Sequence, residues 1–473
     1  MNRKLALVFI LIFSIVVAKA EIKLPSIFTS NMVLQQESEP AIWGWADANS
    51  AVKVKTSWNG KTYETKANSE GKWKLNIETI KYGGPYTITI SDGTPVTLEN
   101  ILLGEVWLCG GQSNMEMPMK GFTGQPVKGS NMAILKSKNP NIRLITVPRK
   151  STVQPVDDFD GTWEEAAPST VANFSATGYY FGRLVNELID VPIGLISVNY
   201  GGSCIQAWMS KQTSVPFGDT GLPQTDEDIK VKNRTPTTLF NGMLNPVIGY
   251  GIRGAIWYQG ETNYEKADKY VELFPTMVAE WRELWSVGEF PFYYCQIAPF
   301  DYSVFHLNDW KEKYNSAYLR EAQLKCLNII PNSGMAVLMD CANPTGIHPS
   351  DKDKAGERLA LIALDKTYGL KGFASESPTF NAMEVGGSTV TISFNNVPNG
   401  ITSFDEEITT FEIAGANKVF YPATVWKRNK SVVVSSPQVK EPVAVRYAFK
   451  DAVKGQLFST EGLPVSSFRT DDW

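Results

Sequence analysis

From Ile101 onward, apolar runs with β character alternate with segments whose apolar residues recur at helical spacing, and this alternation constrains the chain more than any other feature. The runs are 101–108, 193–198, 255–258, 292–297 and 335–339. Parallel strands need long crossovers, usually helical, so five strands of a parallel α/β sheet are expected. Tyr180, Leu184 and Leu188 recur at i, i+4 and i+8, and Met277, Val278, Trp281, Leu284 and Trp285 form a second apolar face. Pro275 is expected in the first turn of that second helix. A third helix is expected after Ser350, through Leu359, Leu361, Ile362 and Leu364, with Gly369 as the residue that ends it.

The flanks read differently. Within 21–100, short β-type runs at 41–45, 52–58, 73–77 and 86–90 are separated by turns, and Asn59-Gly60 and Asp92-Gly93 are hairpin dipeptides. A β-sandwich-like accessory module with a structural role is expected there. The α/β region spans 101–371. Beyond it, 372–473 returns to β-type runs at 389–394, 432–435 and 443–449, either as a separate module or packed back on the N-terminal one.

Arg3 and Lys4 precede an apolar stretch, 5–17, followed by Ala18, Lys19 and Ala20. The stretch is shorter than the roughly 20 residues of a spanning helix, so residues 1–20 read as a signal peptide, and a periplasmic or secreted protein is expected. No later segment is apolar enough to span a membrane. Among 473 residues, 43% are hydrophobic and 20% charged, an ordinary globular balance. A net charge of −4 without a basic run argues against nucleic acid as partner. Five cysteines (Cys109, Cys204, Cys295, Cys326, Cys341) imply no disulfide framework and read as small buried residues in strands. No metal-ligand cluster or phosphate loop appears, so no cofactor is implied. Oligomeric state is not readable.

In an open α/β sheet, ligands collect beyond the carboxyl ends of the strands, and the unusual loops fall there. The first strand runs into Gly110-Gly111-Gln112-Ser113-Asn114-Met115, a serine in a glycine-flanked turn whose following amides can face an oxyanion. The second ends in Asn199-Tyr200-Gly201-Gly202-Ser203, the third in Gln259-Gly260-Glu261-Thr262-Asn263. The last reaches Asp340, and eight residues later comes Ile347-His348-Pro349. A serine nucleophile needs a general base, and the chain has two histidines. His306 sits in a polar and aromatic stretch away from the strand ends and reads as a surface residue, which leaves His348.

Gly111-Gln112-Ser113-Asn114-Met115, Tyr258-Gln259-Gly260-Glu261-Thr262-Asn263 and Ile347-His348-Pro349 resemble the motifs of sialate O-acetylesterases and related acetylxylan esterases. Asn31-Met32-Val33-Leu34-Gln35, Leu103-Gly104-Glu105-Val106-Trp107, Phe240-Asn241-Gly242-Met243 and Arg320-Glu321-Ala322-Gln323 agree with it. The resemblance implies an SGNH-hydrolase domain, flavodoxin-like, with three α/β/α layers around a parallel sheet. It implies that Ser113 attacks an acetyl ester of a sugar and His348 takes the proton. The oxyanion would be held by the Ser113 amide, an amide from Gly201 or Gly202, and the side chain of Gln259 or Asn263. SGNH enzymes commonly carry an aspartate three residues before the histidine, where this chain has Thr345. Asp340, a main-chain carbonyl near Thr345 and Gly346, or Glu261 as a weaker third choice could orient the ring instead. The expected substrate is an O-acetylated sialic acid, with acetylated xylan or another polysaccharide as the alternative. A non-catalytic carbohydrate-binding scaffold is the reading from another class, suggested by 13 tryptophans and the β-modules.

Overall fold

A computed structural model of the chain describes residues 22–305, 315–343 and 346–473; the expected signal segment, His306 and Thr345 lie outside the described residues. The central sheet runs in the order Ser333–Ala336, Phe292–Cys295, Gly254–Tyr258, Pro95–Gly111, Ile193–Asn199, Asn139–Thr146 and Glu164–Ala166. All neighbours are parallel except Glu164–Ala166 at the edge. Side chains alternate between two covered faces. Trp107, Cys109, Ile256 and Tyr293 join the core under helices Ala176–Ile189 and Lys352–Lys366, while Val106, Leu108, Trp257 and Phe292 join that under Ala267–Trp285 and Ala317–Cys326. The sheet is therefore the middle of three α/β/α layers.

Asn139–Thr146 is a strand that the five expected runs omit. It opens with Asn139-Pro140-Asn141 and carries Arg143 at its centre, which breaks the apolar run. Arg143 is nevertheless buried, because its guanidinium donates to the carbonyls of Pro140 and Asn31 and faces Glu165. Of the expected helical faces, Tyr180, Met277, Val278, Trp281 and Trp285 are buried, but two positions are exposed. Leu188 is 49% exposed and Leu284 39% exposed. The first helix instead buries Gly178, Phe181, Gly182 and Val185. A Cβ on Gly182 would lie 2.7 Å from Leu195, so the helix approaches the sheet through glycine, which a search for large side chains overlooks. Pro275 lies inside Ala267–Trp285 rather than in its first turn. Gly369 follows the last helix with φ +73°, as expected.

The boundary placed at residue 100 falls inside an unbroken 17-residue strand, Pro95–Gly111. Its first half is largely exposed and pairs with Gly83–Ser91 across the Asp92-Gly93 turn. From Ile101 it is continuously buried; it keeps Gly83–Ser91 as partner as far as Leu103, pairs with Val33–Gln35 over 102–104, and takes up Ile193–Asn199 from Glu105 and Gly254–Tyr258 from Trp107. The change of pattern at Ile101 thus marks the onset of burial, a few residues before the change of neighbours. Gly83–Ser91, Ala51–Thr56 and Thr62–Lys66 extend this sheet into the N-terminal module, and Ala41–Trp45 with Lys72–Asn76 forms a separate antiparallel ribbon. The two regions are locked by Glu105, buried in the shared strand. It accepts from the side chains of Gln35 and Gln36 and from Tyr368, and forms an ion pair with Arg253.

The C-terminal region forms two four-stranded antiparallel sheets. Among the described residues it packs on the α/β domain: Arg320 donates to Ser467 and the Lys450 carbonyl, and Arg469 pairs with Glu321. All five cysteines are free thiols. Only Cys109 and Cys295 lie in strands; Cys326 ends a helix, Cys341 sits in a 3-10 turn and Cys204 in a loop.

Candidate active site

Gly111 and Gly260 give the strand ends their shape. Gly111 has φ +146°, and a Cβ there would lie 2.2 Å from the Tyr258 carbonyl oxygen. Two strand ends thus meet at backbone distance, and the Gln112 amide donates to that carbonyl at 3.0 Å. Gln112 then binds the next loop with its side chain, its Oε1 accepting from the amides of Gly260 at 3.3 Å and Thr262 at 3.4 Å. Ser113 begins a one-turn helix, Ser113–Glu116, immediately after this anchor. The amides of Met115 and Glu116 bond back to the Gln112 carbonyl, while that of Ser113 has no acceptor among the described residues.

His348 is brought alongside by its predecessor: Asn114 Nδ2 donates to the Ile347 carbonyl at 3.1 Å. Ser113 and His348 open onto one cavity of about 630 Å3, together with Gln112, Gly201, Gly202, Arg234, Glu261 and Thr262. The ring Nδ1 of His348 bonds to Oε1 of Gln125, and Phe122 meets the imidazole edge-on at 5.3 Å. An amide oxygen can only accept, so Nδ1 carries the hydrogen and Nε2 is left with its lone pair. Burial, reinforced by the charge of Lys352, pushes the imidazole pKa down to about 4. The ring is neutral near pH 7, as a general base must be.

Behind the serine lies a buried polar cluster. Asn114 Nδ2 also donates to Glu261 Oε1, and Asn114 Oδ1 accepts from Lys352 Nζ. Glu261 Oε2 has no side-chain partner among the described residues, and burial raises the carboxyl above its usual range despite its own backbone amide, the Asn114 bond and the Lys352 charge. Burial likewise pushes Lys352 down to about 8. On the other side, Glu116 forms a two-pronged ion pair with Arg149, whose guanidinium lies 5.0 Å over the Tyr200 ring.

The remaining expected residues fall into two sets. Gly202 lines the cavity, and its amide has no acceptor among the described residues. The Gly201 amide instead donates to Glu116 Oε2 at 2.8 Å. Gln259 and Asn263 hold each other: Gln259 Nε2 donates to Asn263 Oδ1 and to the Ser203 carbonyl, and Asn263 Nδ2 donates to Gln206. Their side-chain amides brace the loops and are turned away from an oxyanion. Asp340 does not reach His348. Both its oxygens are taken by Arg358, at 2.7 and 2.9 Å, and Lys354 adds a bond of 2.8 Å. Burial opposes ionisation of Asp340, yet the bonds and charges of Arg358 and Lys354 outweigh it and hold the carboxyl well below the usual range.

The sequence reading missed Gln125, Lys352, Arg149 and Arg234. Lys352 alone left a trace, lying four residues after His348 where a helix would begin. Among the described residues no group of three or more His, Cys, Asp or Glu could hold a metal, and no helix is long and apolar enough to cross a membrane.

Comparison with known proteins identifies the family. Residues 103–361 match the family described as carbohydrate esterase, sialic acid-specific acetylesterase. Sialate O-acetylesterase of Homo sapiens is 28% identical over 406 residues, covering 76% of this chain and 74% of that protein. Its counterpart in Mus musculus is 26% identical over 495 residues, covering 88% and 87%. The crystal structure of a carbohydrate acetylesterase from Xanthomonas citri superposes with a TM-score of 0.86 at 34% identity, covering 96% of this chain and all of that one. By these matches the chain belongs to the carbohydrate esterase family of sialic acid-specific acetylesterases.

Proposed function

We propose that the chain removes O-acetyl groups from sialic acids through an acetyl-Ser113 intermediate. The observation that carries this reading is the shared cavity of Ser113 and His348, with Gln125 leaving Nε2 of a neutral imidazole as the acceptor. Nε2 takes the Ser113 hydroxyl proton as Oγ attacks the acetyl carbonyl. The amides of Ser113 and Gly202 receive the negative charge that develops on the carbonyl oxygen. The tetrahedral species collapses, the C–O bond to the sugar breaks, and the imidazolium returns its proton to the leaving hydroxyl. Water then attacks the acetyl-serine with the same histidine as base, releasing acetate.

An anionic sugar suits the cleft. Arg234 is exposed on the cavity wall, and the only hydrogen bond of its side chain among the described residues is from Nε to the Gly202 carbonyl at 3.3 Å. Its free nitrogens are placed for a sialate carboxylate. The test is acetate release from O-acetylated sialosides and acetylated xylo-oligosaccharides by the parent, Ser113→Ala and Arg234→Ala. The parent should prefer the sialosides, Ser113→Ala should lose all turnover on a folded protein, and Arg234→Ala should raise KM for the sialosides alone. Equal rates on both classes, unaffected by Arg234→Ala, would assign the enzyme to neutral polysaccharide. The charged start and short apolar stretch support export with cleavage after Ala20. Intact-mass analysis of secreted protein should then give Glu21 as first residue, and retention of Met1 would refute it.

A further inference from the structure

A second cavity, of about 440 Å3, lies between the N-terminal module and the α/β domain and shares no lining residue with the Ser113 cleft. Its floor is the ribbon of Ala41–Trp45 and Lys72–Asn76, whose antiparallel register sets Trp43 opposite Lys74 and Trp45 opposite Lys72. Alternation puts these four side chains on one face, with Gly44 and Trp73 on the other. Trp43 and Trp45 are only half-buried, and Lys66, Lys72 and Lys74 are exposed. Trp43 is held edge-on against Phe28 at 4.6 Å, so its ring is a fixed surface. Lys74 Nζ lies 5.9 Å from the Trp43 ring and Lys23 Nζ 5.3 Å from that of Trp45.

The polar groups are also incompletely used. Lys72 is neutralised by Asp157 at 2.7 Å, but Lys66 and Lys74 have no carboxylate partner among the described residues. Asn68 Oδ1 accepts from the amides of Glu70 and Lys72, leaving Nδ2 to donate. On the facing wall Asn245 donates Nδ2 to the Val156 carbonyl, leaving Oδ1 to accept. Two aromatic faces, unpaired ammonium groups and side-chain amides together are a receptor for a ring with apolar faces, hydroxyl groups and a negative charge.

We propose that this ribbon face is a non-catalytic site for sialic acid residues of glycans, with sugar faces on Trp43 and Trp45 and the carboxylate on Lys74 and Lys66. The identity of the sugar rests on the proposed function; the site itself rests on the ribbon. An acidic glycan held here would raise the concentration of neighbouring acetylated residues near the enzyme.

The probe is α2,3-sialyllactose without any O-acetyl group, titrated calorimetrically into Ser113→Ala/Arg234→Ala protein so that the cleft contributes little. Trp45→Ala and Lys74→Ala, added separately and checked by circular dichroism, should each weaken binding about five- to tenfold, the scale of losing one aromatic face or one cation. Each, in an otherwise unaltered chain, should leave hydrolysis of 4-nitrophenyl acetate unchanged. Lys74→Ala lies on an exposed position and keeps the test decisive if Trp45→Ala fails to fold. Binding unaffected by Lys74→Ala, or equal binding of neutral lactose, would overturn the proposal. A chain that binds sialyllactose through the ribbon yet prefers acetylated xylan would leave this site standing and refute the proposed substrate.

Discussion

Two buried carboxylates, Asp340 and Glu261, stand beyond the ends of two strands that flank Phe292–Cys295 in the sheet, and are treated in opposite ways. Asp340 is saturated: Arg358 takes both oxygens, Lys354 adds a third bond, and the group stays ionised. Glu261 has one oxygen on Asn114 and one without a side-chain partner among the described residues, and burial raises its pKa. The first arrangement is closed, with no bonding capacity left for substrate or histidine. The second is open, lines the cavity and is linked through Asn114 to both Lys352 and the segment carrying His348. A carboxylate near a histidine is therefore not by that fact its orienter; its other partners decide.

The comparison can be broken or sharpened by substitution. The largest effect belongs to His348→Ala, with a loss in kcat on the order of 10⁴ or more. Gln125→Ala should follow with a loss of roughly 10- to 100-fold, smaller because a neutral amide orients the ring without stabilising its charge. A Gln125→Ala enzyme with full kcat would remove it from the site. Lys352→Met should act mainly on the pH profile. The imidazole must be neutral, so the acid limb of kcat/KM should fall near pH 4 in the parent. Removing the nearby cation favours imidazolium, and the limb should move to higher pH by about one unit. A limb that stays in place would separate the two clusters.

Asp340→Asn should have the smallest effect on rate, within about threefold, but cost roughly 3 kcal/mol of stability in denaturant unfolding, because it strips one partner from a buried ion-pair cluster. Since the folded carboxyl is depressed, its stabilisation is present above the ordinary carboxylate range and is lost as pH falls towards its folded value. A folded Asp340→Asn protein as inactive as His348→Ala would reverse the comparison.

What the sequence made legible was the edge of the sheet. Ser113, Gly202, Glu261 and His348 were placed at one rim from strand ends alone, and the structure gathers them around one cavity. The motifs were legible for a different reason. Gln35 and Glu105 lock the N-terminal module, Asn241 binds the carbonyls of Thr152 and Val153, and Gln323 ties the Gln259 and Cys295 carbonyls to the Ile297 amide. They are joints of the scaffold as much as chemistry. Gln125 was illegible because its partner lies 223 residues away and its own loop has no periodicity. Gln259 and Asn263 bond each other and the neighbouring loops and do not line the cavity, a difference the sequence hides because a side-chain amide at a strand end has the same composition whether it faces a ligand or a loop.

The strand Pro95–Gly111 has a bearing on how such a protein can be inherited. It enters as the partner of Gly83–Ser91 and leaves at the turn before Ser113, so the N-terminal module and the proposed nucleophile share one piece of backbone. A recombination event that excised the module would cut into this strand or leave its first half without a neighbour, exposing an unpaired edge to aggregation. The N-terminal module is thus unsuited to shuffling as a cassette, because its removal would disturb the strand that leads to Ser113.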